Sequence, residues 1–265
     1  MQEKSALARA MAMVSDLRQR CSWDRVQTRE TLRPYLVEEA LELDQALATG
    51  NQAAIREEVS DLLLHLAWQL VLAEELGEFT ADEVAEDLES KMQRRHPHLF
   101  DLGPQEQWEH LKRAEGRARG TLEGLPPALP DLLMAFRIQE RAASVGFDWP
   151  DVEGPLAKVQ EELEEVRAEL AEAPVHPGSG GLPSERLTDE IGDLLFAVVN
   201  LARKAGVAPG HALDRTNQRF RRRFGTVERL ATARGIDVQT AGLTVLDEIW
   251  EEAKAAERTS GGPQS

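Results

Sequence analysis

Residues 158–166, KVQEELEEV, and residues 188–200, TDEIGDLLFAVVN, decide the fold. Glu162 and Glu165 stand three apart, as do Glu190 and Asp193, so each pair projects from one face of a helix. The run after Asp193 is apolar nearly all round and predicts a buried helix over 191–202. Acids avoid such surroundings unless something compensates their charge. If the two helices pack antiparallel through the segment between them, four carboxylates converge. Such a cluster repels itself unless a cation sits in it, and hard oxygen donors suit Mg²⁺. Set against this, the chain holds 47 Asp and Glu residues, and acidic runs on helices are mostly solvated faces. A single EExxE is therefore weak evidence.

The same order occurs twice, and that is stronger. Glu38-Glu39-x-x-Glu42 answers Glu161-Glu162-x-x-Glu165, and Glu58-x-x-Asp61 answers Glu190-x-x-Asp193. Lys91 and Arg95 answer Arg219 and Arg223, and Trp108-x-x-x-Lys112 answers Trp250-x-x-x-Lys254. Random acidity does not reproduce acids, bases and a Trp/Lys pair in one order. A period of roughly 130 residues is too long for a solenoid unit, so the repeat marks tandem modules. Their bounds read as 1–116 and 131–258, with a linker at 117–130 rich in glycine and proline and a disordered tail at 259–265.

Helical periodicity runs through both halves. Helices are predicted over 5–20, from Thr31 or Pro34 to Ala48, over 52–76, 81–95 and 105–116, then over 131–145, 152–172, 185–205, 209–234 and 241–256. Val and Ile are sparse and no segment alternates over a strand's length. The fold class is all-α, as two tandem four-helix-bundle-like modules. One helix apolar on every side needs more cover than three neighbours supply, which predicts self-association through 191–202.

Composition narrows the functions. A net charge of −16 argues against a nucleic-acid backbone as the main partner. No apolar run reaches the ~18 residues that span a bilayer. The amino terminus has no signal-peptide core, so a cytoplasmic location is expected. Cys21 is the only cysteine, which removes internal disulfides and thiolate clusters and reads as a buried structural thiol.

The remaining residues add an anion site to the metal site. Arg219 and Arg223, one turn apart, suit phosphate oxygens. Lys254 lies one turn from Trp250, a flat surface for a base. A Mg²⁺-bound nucleoside triphosphate satisfies all three elements, and the chemistry is then metal-assisted attack of water on a phosphoryl group. Glu161, one position off the ligand set, suits a water-orienting base or an outer-shell ligand. Bland readings stand beside these: a solvated basic face for the arginines, a core anchor for Trp250, and a packed histidine for His65.

These motifs, with GDLLFAVVNLAR (192–203), RRRF (221–224) and EIWEEAK (248–254), resemble the MazG family of nucleoside triphosphate pyrophosphohydrolases. The first half adds CSWDRVQT (21–28), YLVEEALEL (35–43) and KMQRRHPHLF (91–100), so the resemblance covers roughly residues 6–256. It implies two MazG modules, a homodimer whose bundles are completed across the interface, and Mg²⁺-dependent hydrolysis, with Mn²⁺ as a substitute. The products are a nucleoside monophosphate and pyrophosphate. It places metal ligands at Glu162, Glu165, Glu190 and Asp193. Catalytic or substrate-binding roles fall on Lys158, Glu161, Asp189, Arg219, Arg223, Trp250 and Lys254. A second candidate metal cluster is Glu39, Glu42, Glu58 and Asp61. The first module departs at Tyr35, where the second has Lys158, and at Trp68, where the second has Asn200, so the second is expected to carry the main active site. The competing reading is a non-catalytic nucleotide- or metal-sensing helical module. A di-iron bundle fails, because it requires Glu-x-x-His pairs where both modules have an acid.

Overall fold

The computed structural model describes residues 5–105, 120–172 and 184–260. Among them every regular element is helical, and the chain divides into two compact units, residues 1–115 and 116–265. No described helix is long and apolar enough to cross a membrane.

The first unit contains α1 (Ala6–Arg20), a single turn α2 (Ser22–Arg25), α3 (Arg29–Thr49), α4 (Gln52–Leu76), α5 (Ala81–Arg95) and a 3₁₀ turn over Pro97–Leu99. Gly50 takes the left-handed conformation, φ 67°, that ends α3, and Asn51 then caps α4 by accepting from the backbone N–H of Ala53 and Ala54. This two-residue turn makes α3 and α4 an antiparallel hairpin, and α1 packs against α4. Val14, Leu32, Ala67, Trp68, Val71 and Leu72 form the buried core.

The start of α3 differs from expectation. Thr28 and Thr31 form a reciprocal capping box, at 3.3 and 2.9 Å, so the helix begins at Arg29 and Pro34 lies inside it. Two satisfied orphan donors at the true N-terminus outweigh a proline whose missing N–H falls on the exposed second turn. Cys21, expected to be buried, is half-buried at the end of α1.

The second unit contains α6 (Asp131–Ala143), α7 (Glu153–Glu172), α8 (Glu185–Lys204), α9 (Pro209–Ala233) and α10 (Gly242–Ser260). Helices α7 and α8 form one hairpin, with α6 against α8. Helices α9 and α10 form another around Val227, Ala231, Ile249 and Ala253. Helix α10 includes Thr259 and Ser260, which had been assigned to the tail.

Two expectations meet particular outcomes here. Helix 191–202 is not buried within one chain: Leu187, Ala197, Val199 and Asn200 are covered, while Leu195 is 56% exposed and Ile191, Phe196 and Val198 face outward. Helices α6 and α7 cover only one stripe of α8, so its apolar surface exceeds what these neighbours bury. The first unit repeats this, with Val37, Leu41, Val59 and Leu66 exposed on α3 and α4. The helix expected over 105–116 and the 173–184 loop lie, apart from Gln105 and Ser184, outside the described residues.

The corner between α6 and α7 is fixed by charge. Asp148 accepts from Arg203 and, at 3.0 Å, from Lys204, both at the end of α8. Trp149 lies so close to Gly154 that a Cβ there would fall 2.0 Å from the indole. Burial opposes the charge on Asp148, but the two cations outweigh it and hold its carboxyl below the ordinary 3.8. A folded value below the unfolded one gives stability present above the unfolded value and lost as pH falls through the folded one. Asp148→Asn is therefore expected to cost about 1–3 kcal/mol at neutral pH. Urea denaturation of wild type and variant should show that gap at pH 7 and lose it below the folded carboxyl value.

Candidate metal and phosphate site

The turns preceding and following the α7–α8 connection bring the acids together. One oxygen each from Glu162, Glu190 and Asp193 lies within 4.8 Å of the others. Glu162 is 4% exposed, Glu190 half-buried and Asp193 exposed, so the cluster is rooted in the hairpin and open at one side. Glu165 adjoins it: a hydrogen bond that its protonated carboxyl donates to Glu162, then burial, then the charges of Glu162 and Glu190 push that carboxyl up. Three of the four predicted ligands thus lie within reach of one ion, and the fourth, Glu165, interacts with Glu162 and Glu190.

Lys158 sits one turn before Glu162. Its Nζ contacts Glu162 Oε1 at 2.5 Å and Glu161 Oε1 at 2.9 Å, and these two acids hold the ammonium well above its ordinary value. Glu162 Oε2 is different. It is buried and has no hydrogen-bond partner. A buried carboxylate oxygen without a donor is costly, and it points to a cation as the missing partner. Three to four oxygen donors, one of them orphaned, fit a hard divalent ion such as Mg²⁺.

Glu161 is exposed beside Lys158, and Asp189 is exposed one position before Glu190 with no partner among the described residues. The basic residues lie on the α9–α10 pair. Arg219 donates to Thr216 at 3.2 Å, Arg223 to Glu257 at 2.7 Å, and Lys254 to Glu251 at 2.7 Å. Trp250 packs on the α9–α10 core with Phe220 5.1 Å and the Arg223 guanidinium 6.0 Å from its ring centre. It is the core anchor of one earlier reading, and it remains half-buried rather than fully covered. No hydrogen bond or ion pair among the described residues joins these four side chains to the carboxylates.

The first unit builds a similar cluster with a different setting. Glu39, Glu58 and Asp61 offer oxygens within 4.8 Å, all half-buried. Burial and then Asp61, Glu42, Glu58 and Glu38 push Glu39 up; burial and then Glu42, Glu57 and Asp61 push Glu58 up. Tyr35, where the other unit has Lys158, supplies no charge to offset this. Trp68 is buried under the Arg18 guanidinium, 5.3 Å away, whereas Asn200 accepts from Arg203 at 2.9 Å. His65 is buried with Nδ1 unpartnered, and burial pushes its imidazole down. Trp108 and Lys112 lie outside the described residues.

Sequence reasoning assigned no role to two residues that make long-range contacts. Asp148 lies between two predicted helices and pairs with Arg203 and Lys204. Glu257 passed unnoticed, although it follows Lys254 by three and so shares a face with Trp250.

Fold and site together define an all-α protein with an acidic helix hairpin in each of its two units. Comparison with known proteins narrows the class. The MazG nucleotide pyrophosphohydrolase domain matches residues 27–100. A Thermotoga maritima protein named nucleoside triphosphate pyrophosphohydrolase/pyrophosphatase MazG is 40% identical over 244 residues, covering 90% of this chain and 91% of its own. An Escherichia coli (strain K12) nucleoside triphosphate pyrophosphohydrolase is 36% identical over 97% of this chain and 99% of its own. A Bacillus subtilis protein named YabN is 39% identical over 91% of this chain and 49% of its own. The chain belongs to the MazG family.

Proposed function

We propose that the protein hydrolyses nucleoside triphosphates between the α and β phosphates, releasing a nucleoside monophosphate and pyrophosphate. The observation that carries this reading is Glu162 in the second unit, whose buried Oε2 has no hydrogen-bond partner and which offers a carboxylate oxygen within 4.8 Å of Glu190 and Asp193. The names of full-length relatives supply the substrate class.

Glu162, Glu165, Glu190 and Asp193 would hold Mg²⁺, with Mn²⁺ as a substitute. The ion supplies Lewis-acid polarisation of the phosphoryl oxygens and a water of lowered pKa. Lys158 fixes Glu161 and Glu162 in place, so Glu161 is pre-oriented at the rim of the cluster to accept a proton from the attacking water. Asp189 orients from the outer shell beside Glu190. Arg219, Arg223 and Lys254 take phosphate oxygens, and Trp250 offers its remaining surface to the base.

The second unit carries the main activity in this reading. Its cluster has an internal cation in Lys158 and a polar interior position in Asn200. The first has Tyr35 and the core residue Trp68 there. The exposed apolar stripes of α8 and of α3–α4 are covered by a second copy of the chain, giving a homodimer. Housekeeping that cleans the cytoplasmic nucleotide pool is the proposed role.

The test is incubation with a panel of ribo- and deoxynucleoside triphosphates, with Mg²⁺ and with EDTA, and separation of products by ion exchange. Monophosphate and pyrophosphate, lost with EDTA, are expected. Diphosphate and orthophosphate would mean a different bond. Binding without product would favour the sensing module.

A further inference from the structure

Arg223 and Glu257 are 34 positions apart in sequence, and their contact joins α9 to α10. Only Nε of the guanidinium is engaged, at 2.7 Å; its two terminal nitrogens have no partner among the described residues. The same contact sets the group 6.0 Å from the centre of the Trp250 ring. Phe220 packs on Trp250 at 5.1 Å and stacks on Phe224 at 5.9 Å, so the neighbouring surface is rigid and aromatic. An arginine tethered through Nε and set over an indole has lost much of its rotamer freedom before any ligand arrives. Its terminal edge remains available for a bidentate anion.

Glu257 follows Trp250 by seven and Lys254 by three, which places all three on one face of α10. Lys254 does not compete for it in the resting structure, being paired with Glu251 at 2.7 Å. The first half of the sequence carries the same set in the same order: Arg95, then Trp108, Lys112 and Glu115 at the spacing of Trp250, Lys254 and Glu257. A mere helix staple needs an acid somewhere near Arg223. It does not need one at that spacing twice.

We infer that Glu257 is a positioning residue: by accepting from Nε it holds Arg223 in the orientation in which its terminal nitrogens receive phosphate oxygens of the substrate. The inference rests on the phosphate-binding part of the proposed function and deepens it.

The experiment uses the full chain with Glu257→Ala, Glu257→Gln, Arg223→Ala and the Glu257→Ala/Arg223→Ala double variant. Affinity for an α,β-methylene nucleoside triphosphate with Mg²⁺ is read by titration calorimetry, beside KM, kcat and melting temperature. Glu257→Ala is expected to weaken binding and raise KM about tenfold, with a smaller change in kcat. Glu257→Gln, whose amide oxygen still accepts from Nε, should keep most of the affinity. In the Arg223→Ala background the Glu257 change should add nothing. Unchanged affinity and KM in Glu257→Ala, with or without a lower melting temperature, would overturn the inference. So would an equal loss with and without Arg223. Wild type that binds the analogue but releases no product from ordinary nucleoside triphosphates would remove the proposed reaction, while the binding comparison would still decide the role of Glu257.

Discussion

Glu162→Gln should abolish turnover and metal binding together while leaving the helices intact. Glu162 is the most buried member of the acidic cluster, and its two oxygens have different surroundings. Oε1 meets Lys158 at 2.5 Å; Oε2 is buried without a hydrogen-bond partner. The amide keeps the volume and an acceptor for Lys158, but it removes a negative charge that would bind the divalent ion beside the three neighbouring acids. A loss of roughly 10³-fold in kcat/KM is expected, comparable to deleting a principal electrostatic group from an active site. Calorimetry should show the Mg²⁺ heat disappear, and circular dichroism should be unchanged. Asp193→Ala should behave alike. Retained turnover in both variants would falsify the assignment of this cluster as the metal site. The parallel change Glu39→Gln in the first unit separates the two clusters, since the proposal gives the first a minor share of turnover.

The second large effect concerns assembly. Leu195 is 56% exposed on α8, among Ile191, Phe196 and Val198, and adjoins the helix turn that carries Asp193. Leu195→Glu is expected to halve the mass measured by light scattering at micromolar concentration, because a charge placed in a buried apolar contact loses its hydration without gaining a partner. Turnover should fall with it if the neighbouring chain steadies Asp193 and Glu190. A wild-type protein that is already monomeric at that concentration would sink the dimer.

Much of this was legible before any coordinates. The spacing of Glu162, Glu165, Glu190 and Asp193, the Gly50-Asn51 turn and Gly77, which ends α4 in the left-handed conformation, are local signals, fixed by helix period and capping chemistry. They sufficed for the all-α class, most helix bounds and the placing of each pair of acids on one helix face. The start of α3 was obscured because the proline at position 34 is a stronger signal by eye than a threonine pair, yet two hydrogen bonds at Thr28 and Thr31 decided it.

What the sequence alone determined, then, is which residues share a helix face, since that depends only on intervals of three, four and seven. Tertiary structure decided which faces meet. It left Oε2 of Glu162 without a donor, tied Arg223 to Glu257 across the α9–α10 hairpin, bound Asp148 to the end of α8, and exposed the outer stripe of a helix whose composition called for burial. Each of these is a distance between side chains far apart in sequence. Such distances follow from how helices pack, and periodicity along one helix carries no information about its neighbour.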